Sequence, residues 1–99
     1  MFKIVDKRTF THDVKIMLPV DGGFVEETLK TTFNYLPADQ LGPGFLEKAV
    51  VTFLDLVGDD EQPVTCTDEV RAKILANPNV VHGLTDYYSR VIHKVAPGN

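Results

Sequence analysis

Two segments in the last third of the chain decide the fold, DDEQPVTCTDEV (59–70) and NPNVV (77–81). The first predicts an acidic loop followed by a short helix, because Thr67 is a good N-cap and acidic residues follow it in the first turn, where the helix dipole favours negative charge. The second predicts another helix, with Asn77 as its N-cap and Pro78 at the first helical position. These features predict shape and say little about chemistry.

Three helices are predicted, at about 44–57, 67–76 and 78–95. In the first, apolar residues recur at helical spacing over a broad face, which predicts a central helix that ends at Gly58. The second helix has an alternative start, in which Thr65 is the cap and pairs with an acidic residue three positions later.

The N-terminal part of the chain, about 2–35, predicts a β-hairpin or meander, because apolar and polar residues alternate along it. The alternation begins at Phe2 and Ile4, stops over a polar stretch at 6–12 that suits a turn, and resumes at Val14. Asp21-Gly22-Gly23 is the strongest turn signal, since these residues tolerate positive φ. The prediction is therefore a single α+β domain over 1–99, with this hairpin or meander packed on the three helices.

Composition limits the function further. The chain has 99 residues, a formal charge of -4 and a hydrophobic share of 43%, which suits one soluble domain and argues against nucleic acid or an anionic membrane as a partner. Self-association is expected, because a small domain buries little surface on its own. The single cysteine, Cys66, excludes an intrachain disulfide and favours a reducing cytoplasm. Neither a signal peptide nor a membrane-spanning run is predicted.

Three groups of residues are candidates for catalysis or metal binding, but a purely structural role accounts better for each of them. Cys66 precedes a helix N-terminus, which can lower a thiol pKa, but it lacks the motif of a catalytic cysteine. His82 and Asp86 lie one helical turn apart but lack further metal ligands at suitable spacing. The acidic run at 59–61 lacks the ligand pattern of a calcium loop. The sequence therefore predicts no catalytic residue, no metal site and no cofactor.

Several short motifs along the chain together match a known family. They are Phe2-Lys3-Ile4, Pro19-Val20-Asp21-Gly22-Gly23, Val50-Val51-Thr52-Phe53, Gln62-Pro63-Val64, Thr67-Asp68-Glu69-Val70, Ile74-Leu75-Ala76-Asn77-Pro78-Asn79-Val80, Leu84 and Tyr87-Tyr88. With these motifs the chain resembles the tail assembly chaperones of long-tailed bacteriophages and prophages. The resemblance covers most of the chain and is best from Phe45 onward.

The resemblance implies a non-catalytic protein that binds the tape measure protein in the bacterial cytoplasm and keeps it soluble until the tail tube polymerises. It also implies a longer, frameshifted product whose extension begins near 97–99 and recruits the tail tube protein. The alternative is another small tail structural or completion protein that is retained in the virion.

A partner surface follows from this reading. Tyr87 and Tyr88 are neighbours on a helix and point about 100° apart, so one of them should lie at the edge of the core. Recognition of an amphipathic helix needs an apolar stripe rimmed by polar groups. The predicted stripe combines one of these tyrosines with Val91 and Ile92 on the last helix and with Phe24 near the hairpin tip.

Overall fold

The computed structural model describes residues 1–5 and 7–93 and confirms the α+β class, with an N-terminal hairpin followed by three helices. The elements are β1 (Thr9–Val20), β2 (Gly23–Asn34), a 3-10 turn (Ala38–Gln40), α1 (Leu46–Ala49), β3 (Val50–Leu54), β4 (Leu56–Val57), β5 (Pro63–Val64), α2 (Asp68–Leu75) and α3 (Pro78–Ile92). A three-stranded antiparallel sheet in the order β1-β2-β3 packs against α3, and a second sheet pairs β4 with β5.

The hairpin turn lies where the sequence predicts it. Val20 pairs with Gly23 across the two turn residues, and Gly22 takes φ 80°, a value that glycine adopts without steric cost. The two strands then pair without a register shift back to Thr9, which lies opposite Asn34. The part of the hairpin beyond Met17 is mostly exposed and projects past the core.

The N-terminal strand prediction is wrong in its bounds. Phe2 and Ile4 lie outside any strand and are 90% and 87% exposed. The strand begins instead at Thr9, inside the stretch 6–12 that the sequence assigns to a turn. The aromatic ring of Phe10 explains the extension, because its centroid lies 5.2 Å from that of its cross-strand neighbour Phe33.

The first predicted helix, 44–57, is one turn long, and the chain continues as strand β3 from Val50. The physical reason is a β-bulge. Thr32 pairs with Thr52 and the following residue of β2, Phe33, pairs with Val50, so Val51 is an extra residue in β3. The bulge places Val50 and Phe53 together in the core at a spacing of three, which imitates a helical period.

The core lies between the sheet and α3, and Tyr88 is its largest member at 1% exposure. The Tyr88 hydroxyl donates to the Asn34 carbonyl oxygen at 2.8 Å and accepts the Leu36 N–H at 2.9 Å. Both backbone groups lie where the chain leaves β2, so this one side chain ties α3 to the end of the hairpin. The other buried core residues are Val14, Ile16, Phe33, Leu46, Ala49, Val50, Phe53, Val80 and Leu84.

The predicted starts of the second and third helices are confirmed. The Thr67 hydroxyl accepts the Val70 N–H at 3.2 Å, which selects Thr67 over the alternative cap at Thr65. The Asn77 side chain accepts two backbone N–H groups at the start of α3. The last helix ends at Ile92, and the end of its predicted range, 94–95, lies outside the described residues.

Arg71 on α2 holds the junction between α1 and β3. One guanidinium nitrogen donates to the carbonyl oxygens of Glu47 at 2.7 Å and Val50 at 2.8 Å. One carbonyl belongs to the second residue of a helix only one turn long and the other to the first residue of the following strand, so the guanidinium replaces bonds that a longer helix would otherwise make.

Replacing Arg71 with alanine should lower the free energy of unfolding by about 1–3 kcal/mol, the range for a lost charged hydrogen-bond partner. Arg71→Lys should retain only part of this stability, because an ammonium group cannot reproduce the planar set of donors of a guanidinium. Denaturant unfolding measures the change, and Lys73→Ala on the exposed side of α2 is the control. Equal stability of the Arg71→Ala and Lys73→Ala variants would contradict this role.

Candidate protein-binding site

A groove of about 540 Å³ lies between β1 and α3. We call it the β1–α3 groove. Apolar side chains form much of its wall and charged side chains form its rim. Its lining consists of Asp13, Val14, Lys15, Met17, Phe24, Asn79, His82, Gly83, Asp86 and Tyr87.

Gly83 sets the depth of the groove, because it lets α3 lie close against β1. A Cβ atom at this position would meet the Ile16 side-chain Cδ1 at 2.7 Å, and the Lys15 carbonyl oxygen is 3.7 Å away. Ile16 is 2% exposed and therefore has little room to move. The glycine thus fixes the spacing of the two groove walls.

Replacing Gly83 with alanine should destabilise the domain, because overpacking the contact with Ile16 costs about 1–3 kcal/mol. The higher helix propensity of alanine offsets about 1 kcal/mol of this cost. Adding Ile16→Val removes the atom that the new methyl group would meet. The double variant should therefore be more stable than the sum of the two single changes. Thermal unfolding of the four proteins tests this, and simple additivity would contradict it.

Tyr87 lies at one end of the groove and is half-buried. Its hydroxyl lies 2.8 Å from the His12 Nδ1 atom, and the two rings meet edge to face with centroids 5.6 Å apart. Burial raises the pKa of Tyr87, and the negative charge of Asp13 raises it further, so the hydroxyl stays neutral at physiological pH. The ring therefore offers a partner an apolar face with a neutral polar tip.

The residues of the predicted partner-binding stripe lie in two separate depressions. Phe24, which is 66% exposed, and Tyr87 both line the β1–α3 groove. Val91 and Ile92 are half-buried and line a second depression of about 280 Å³, which also contains Phe10, His12 and Tyr35. His12 lies between the two depressions, because it lines the second and contacts Tyr87 of the first.

Tyr88 does not belong to this surface. It is 1% exposed and both of its hydroxyl bonds are made inside the fold, so its prediction as a partner-binding residue is wrong. The expectation that one of the two neighbouring tyrosines lies at the core edge is confirmed, and Tyr87 is that residue.

Sequence reasoning missed several groove residues. Met17 is 50% exposed beside Phe24, and the strand alternation that puts it opposite the buried Ile16 could have identified it. The approach of Gly83 to β1 carries no sequence signal, because it depends on how α3 packs.

The residues considered for catalysis or metal binding do not come together in one site. Cys66 is half-buried, and its neighbours include the core cluster. His82 and Asp86 both line the β1–α3 groove, where Asp86 accepts a 2.9 Å bond from Arg90. Among residues 1–5 and 7–93, no three His, Cys, Asp or Glu side chains form a group that could hold a metal ion. In that same part of the chain, every helix is too short or too polar to cross a membrane.

Comparison with known proteins adds no relative: no family model, no curated protein and no solved structure matches this chain. The resemblance to tail assembly chaperones therefore stays a prediction from the residues quoted above. The geometry of the two depressions, at either side of the His12 and Tyr87 contact, is the observation on which a function can be argued.

Proposed function

We propose that this protein is a non-catalytic tail assembly chaperone of a phage or prophage. It binds the tape measure protein in the cytoplasm of the bacterial host and keeps it soluble during tail morphogenesis. The sequence resemblance suggests the partner, and the exposed apolar groove supports this mode of action.

The observation that carries the proposal is that Phe24 and Tyr87 line the same groove. A phenylalanine that is 66% exposed is costly to leave in water, and here it lies in a concave surface that a partner side chain can fill. The groove volume of about 540 Å³ is within the range of sites that enclose bulky apolar groups.

The rim of the groove suits an amphipathic helix. Asp13 and Lys15 are exposed along one wall, and His82 and Asp86 are exposed along the other. An apolar helix face can enter the groove while its polar flanks meet these side chains. The second depression, around Val91 and Ile92, gives the same helix another apolar contact beyond Tyr87.

A chaperone that acts only during assembly should be absent from the finished virion. In cells that produce the phage, the tagged chain should capture the tape measure protein before tails form. Mass spectrometry of purified virions should then detect the tape measure protein without this chain. A stoichiometric amount of this chain in the virion would contradict the proposal and favour the alternative, a tail structural or completion protein.

The resemblance also suggests a longer product with an extension that binds the tail tube protein. Residues 97–99, where that extension would begin, lie outside the described residues. Mass spectrometry of the expressed gene product tests this part, because a frameshifted form would share residues from Met1 onward and differ in mass at its end.

A further inference from the structure

Residues 1–5, Met-Phe-Lys-Ile-Val, have the pattern of a strand but pair with no strand in the described part of the chain, and the Lys3 carbonyl oxygen accepts a 3.3 Å hydrogen bond from the exposed Arg8 side chain. Apolar side chains alternate with Lys3, and Phe2 and Ile4 are 90% and 87% exposed. Two large apolar side chains on the same side of an extended segment would be buried if the segment joined a sheet.

The edge of β1 offers the matching backbone groups. Within residues 1–5 and 7–93, β1 pairs with β2 on one side and no strand lies against its other side. The two-residue turn makes Val20 and Gly23 a hydrogen-bonded pair, and such pairs alternate along an antiparallel ladder. The outward N–H and C=O groups therefore belong to Thr11, Asp13, Lys15 and Met17.

Three of these four residues, Asp13, Lys15 and Met17, also line the β1–α3 groove. The groove therefore runs along the unpaired edge of the strand, with α3 forming its other wall. A cleft between an edge strand and a helix can accept an extended segment as an additional strand, which takes backbone hydrogen bonds from the edge and places alternate side chains beneath the helix.

We propose that residues 1–5 of a second copy of this chain pair with the free edge of β1 and occupy the β1–α3 groove. With Lys3 beside Asp13, strand alternation places Phe2 and Ile4 on the sheet face that α3 covers. Lys3 then lies on the opposite, open face next to the exposed carboxylate. This charge pairing selects the register, because a shift of two residues would place Lys3 beside Lys15.

The chain's own residues 1–5 do not reach this position. The Tyr35 N–H donates to the Arg8 carbonyl oxygen at 2.8 Å, so the chain stays alongside β2 through Arg8. Because the Arg8 carbonyl faces β2, a two-residue reversal would have to pair Ile4 with Lys7, which would bring Met1 only as far as Phe10, short of the groove. That register would also place Phe2 on the sheet face that α3 does not cover.

Each copy gives residues 1–5 and receives the same segment from a second copy. A reciprocal exchange closes as a dimer, and a one-way exchange continues as a ring or an open chain of copies. The inference does not depend on the proposed function. If both hold, the segment covers the apolar groove until a partner helix displaces it.

Mixed single-cysteine variants test the proposal directly. One protein carries Lys3→Cys and the other carries Asp13→Cys, both with Cys66→Ser, and they are mixed and oxidised mildly. A disulfide-linked dimer of one of each is expected, at a yield at least about tenfold above that of a control pair in which Glu69→Cys replaces Asp13→Cys. Equal yields for the two pairs would overturn the proposal, and so would a disulfide that forms only within a chain carrying both cysteines.

A mass measurement gives an independent test. Light scattering should show that the wild-type chain grows in mass with concentration, whereas Ile4→Asp stays monomeric with an unchanged circular dichroism spectrum. Lys7→Asp, which changes an exposed residue outside the segment, should still associate. A wild-type chain that stays monomeric to millimolar concentration would overturn the inference and leave the proposed function untouched.

Discussion

Replacing Tyr88 with alanine should lower the free energy of unfolding by about 3–5 kcal/mol, the range for deleting a large buried aromatic side chain. The ring is 1% exposed and lies within 6 Å, centroid to centroid, of Phe10, Phe33 and Phe45. A small domain has about 5–15 kcal/mol in total, so this variant should be largely unfolded at moderate temperature.

Tyr88→Phe isolates the hydroxyl group. It keeps the ring but leaves the Asn34 carbonyl oxygen and the Leu36 N–H without their partner, which should cost about 1–3 kcal/mol. Tyr87→Phe is the matched control, because it removes one hydroxyl from a half-exposed site on the same helix. Denaturant unfolding that gives equal losses for the two phenylalanine variants would contradict the role assigned to Tyr88.

The position of Tyr88 also changes how the partner surface should be tested. From the sequence alone, aspartate at either tyrosine is expected to remove binding without unfolding the domain. Because Tyr88 is buried, Tyr88→Asp would place a charge in the core and unfold it. Of the two tyrosines, only Tyr87 remains a suitable position for a charge that blocks a partner, and Phe24 is a second such position in the same groove.

Replacing Phe24 with aspartate should weaken binding to the tape measure protein by about 30-fold or more, the effect of losing an anchor worth about 2 kcal/mol. The new carboxylate would also have to be buried beside Asp13 when a partner fills the groove. Calorimetric titration of the purified proteins measures the dissociation constant.

Val57→Asp provides a matched control for this experiment. Val57 and Phe24 are both 66% exposed, and Val57 lies on β4, outside both depressions. The two variants introduce the same charge and should unfold at similar temperatures, so a difference in binding reports the groove. If both variants lost affinity equally, the effect would be one of net charge and the groove would not be the site.

The sequence predicted the features that depend on local chemistry. The turn at Asp21 and Gly22 and the caps Thr67 and Asn77 follow from what single residues do to the backbone, and all are found where expected. The buried stripe of α3 follows from its period, which places Val80, Leu84 and Tyr88 on one side.

The failures depend on pairing between distant segments. The bulge at Val51 gave a strand the spacing of a helix, and only the register with β2 shows the difference. Phe2 and Ile4 have the pattern of a strand, but a pattern does not supply a neighbouring strand. The groove itself arises because Gly83 brings α3 against β1, a contact between residues far apart in sequence.

The most direct test of the account is calorimetric titration of this chain with purified helical segments of the tape measure protein at several temperatures. Saturable binding with a negative heat-capacity change is expected, because apolar surface leaves water on binding, and Phe24→Asp should reduce both the affinity and the heat-capacity change. Absence of binding to any segment, or binding that Phe24→Asp and Tyr87→Asp leave unchanged, would contradict the claim that this protein works by covering another polypeptide with its β1–α3 groove.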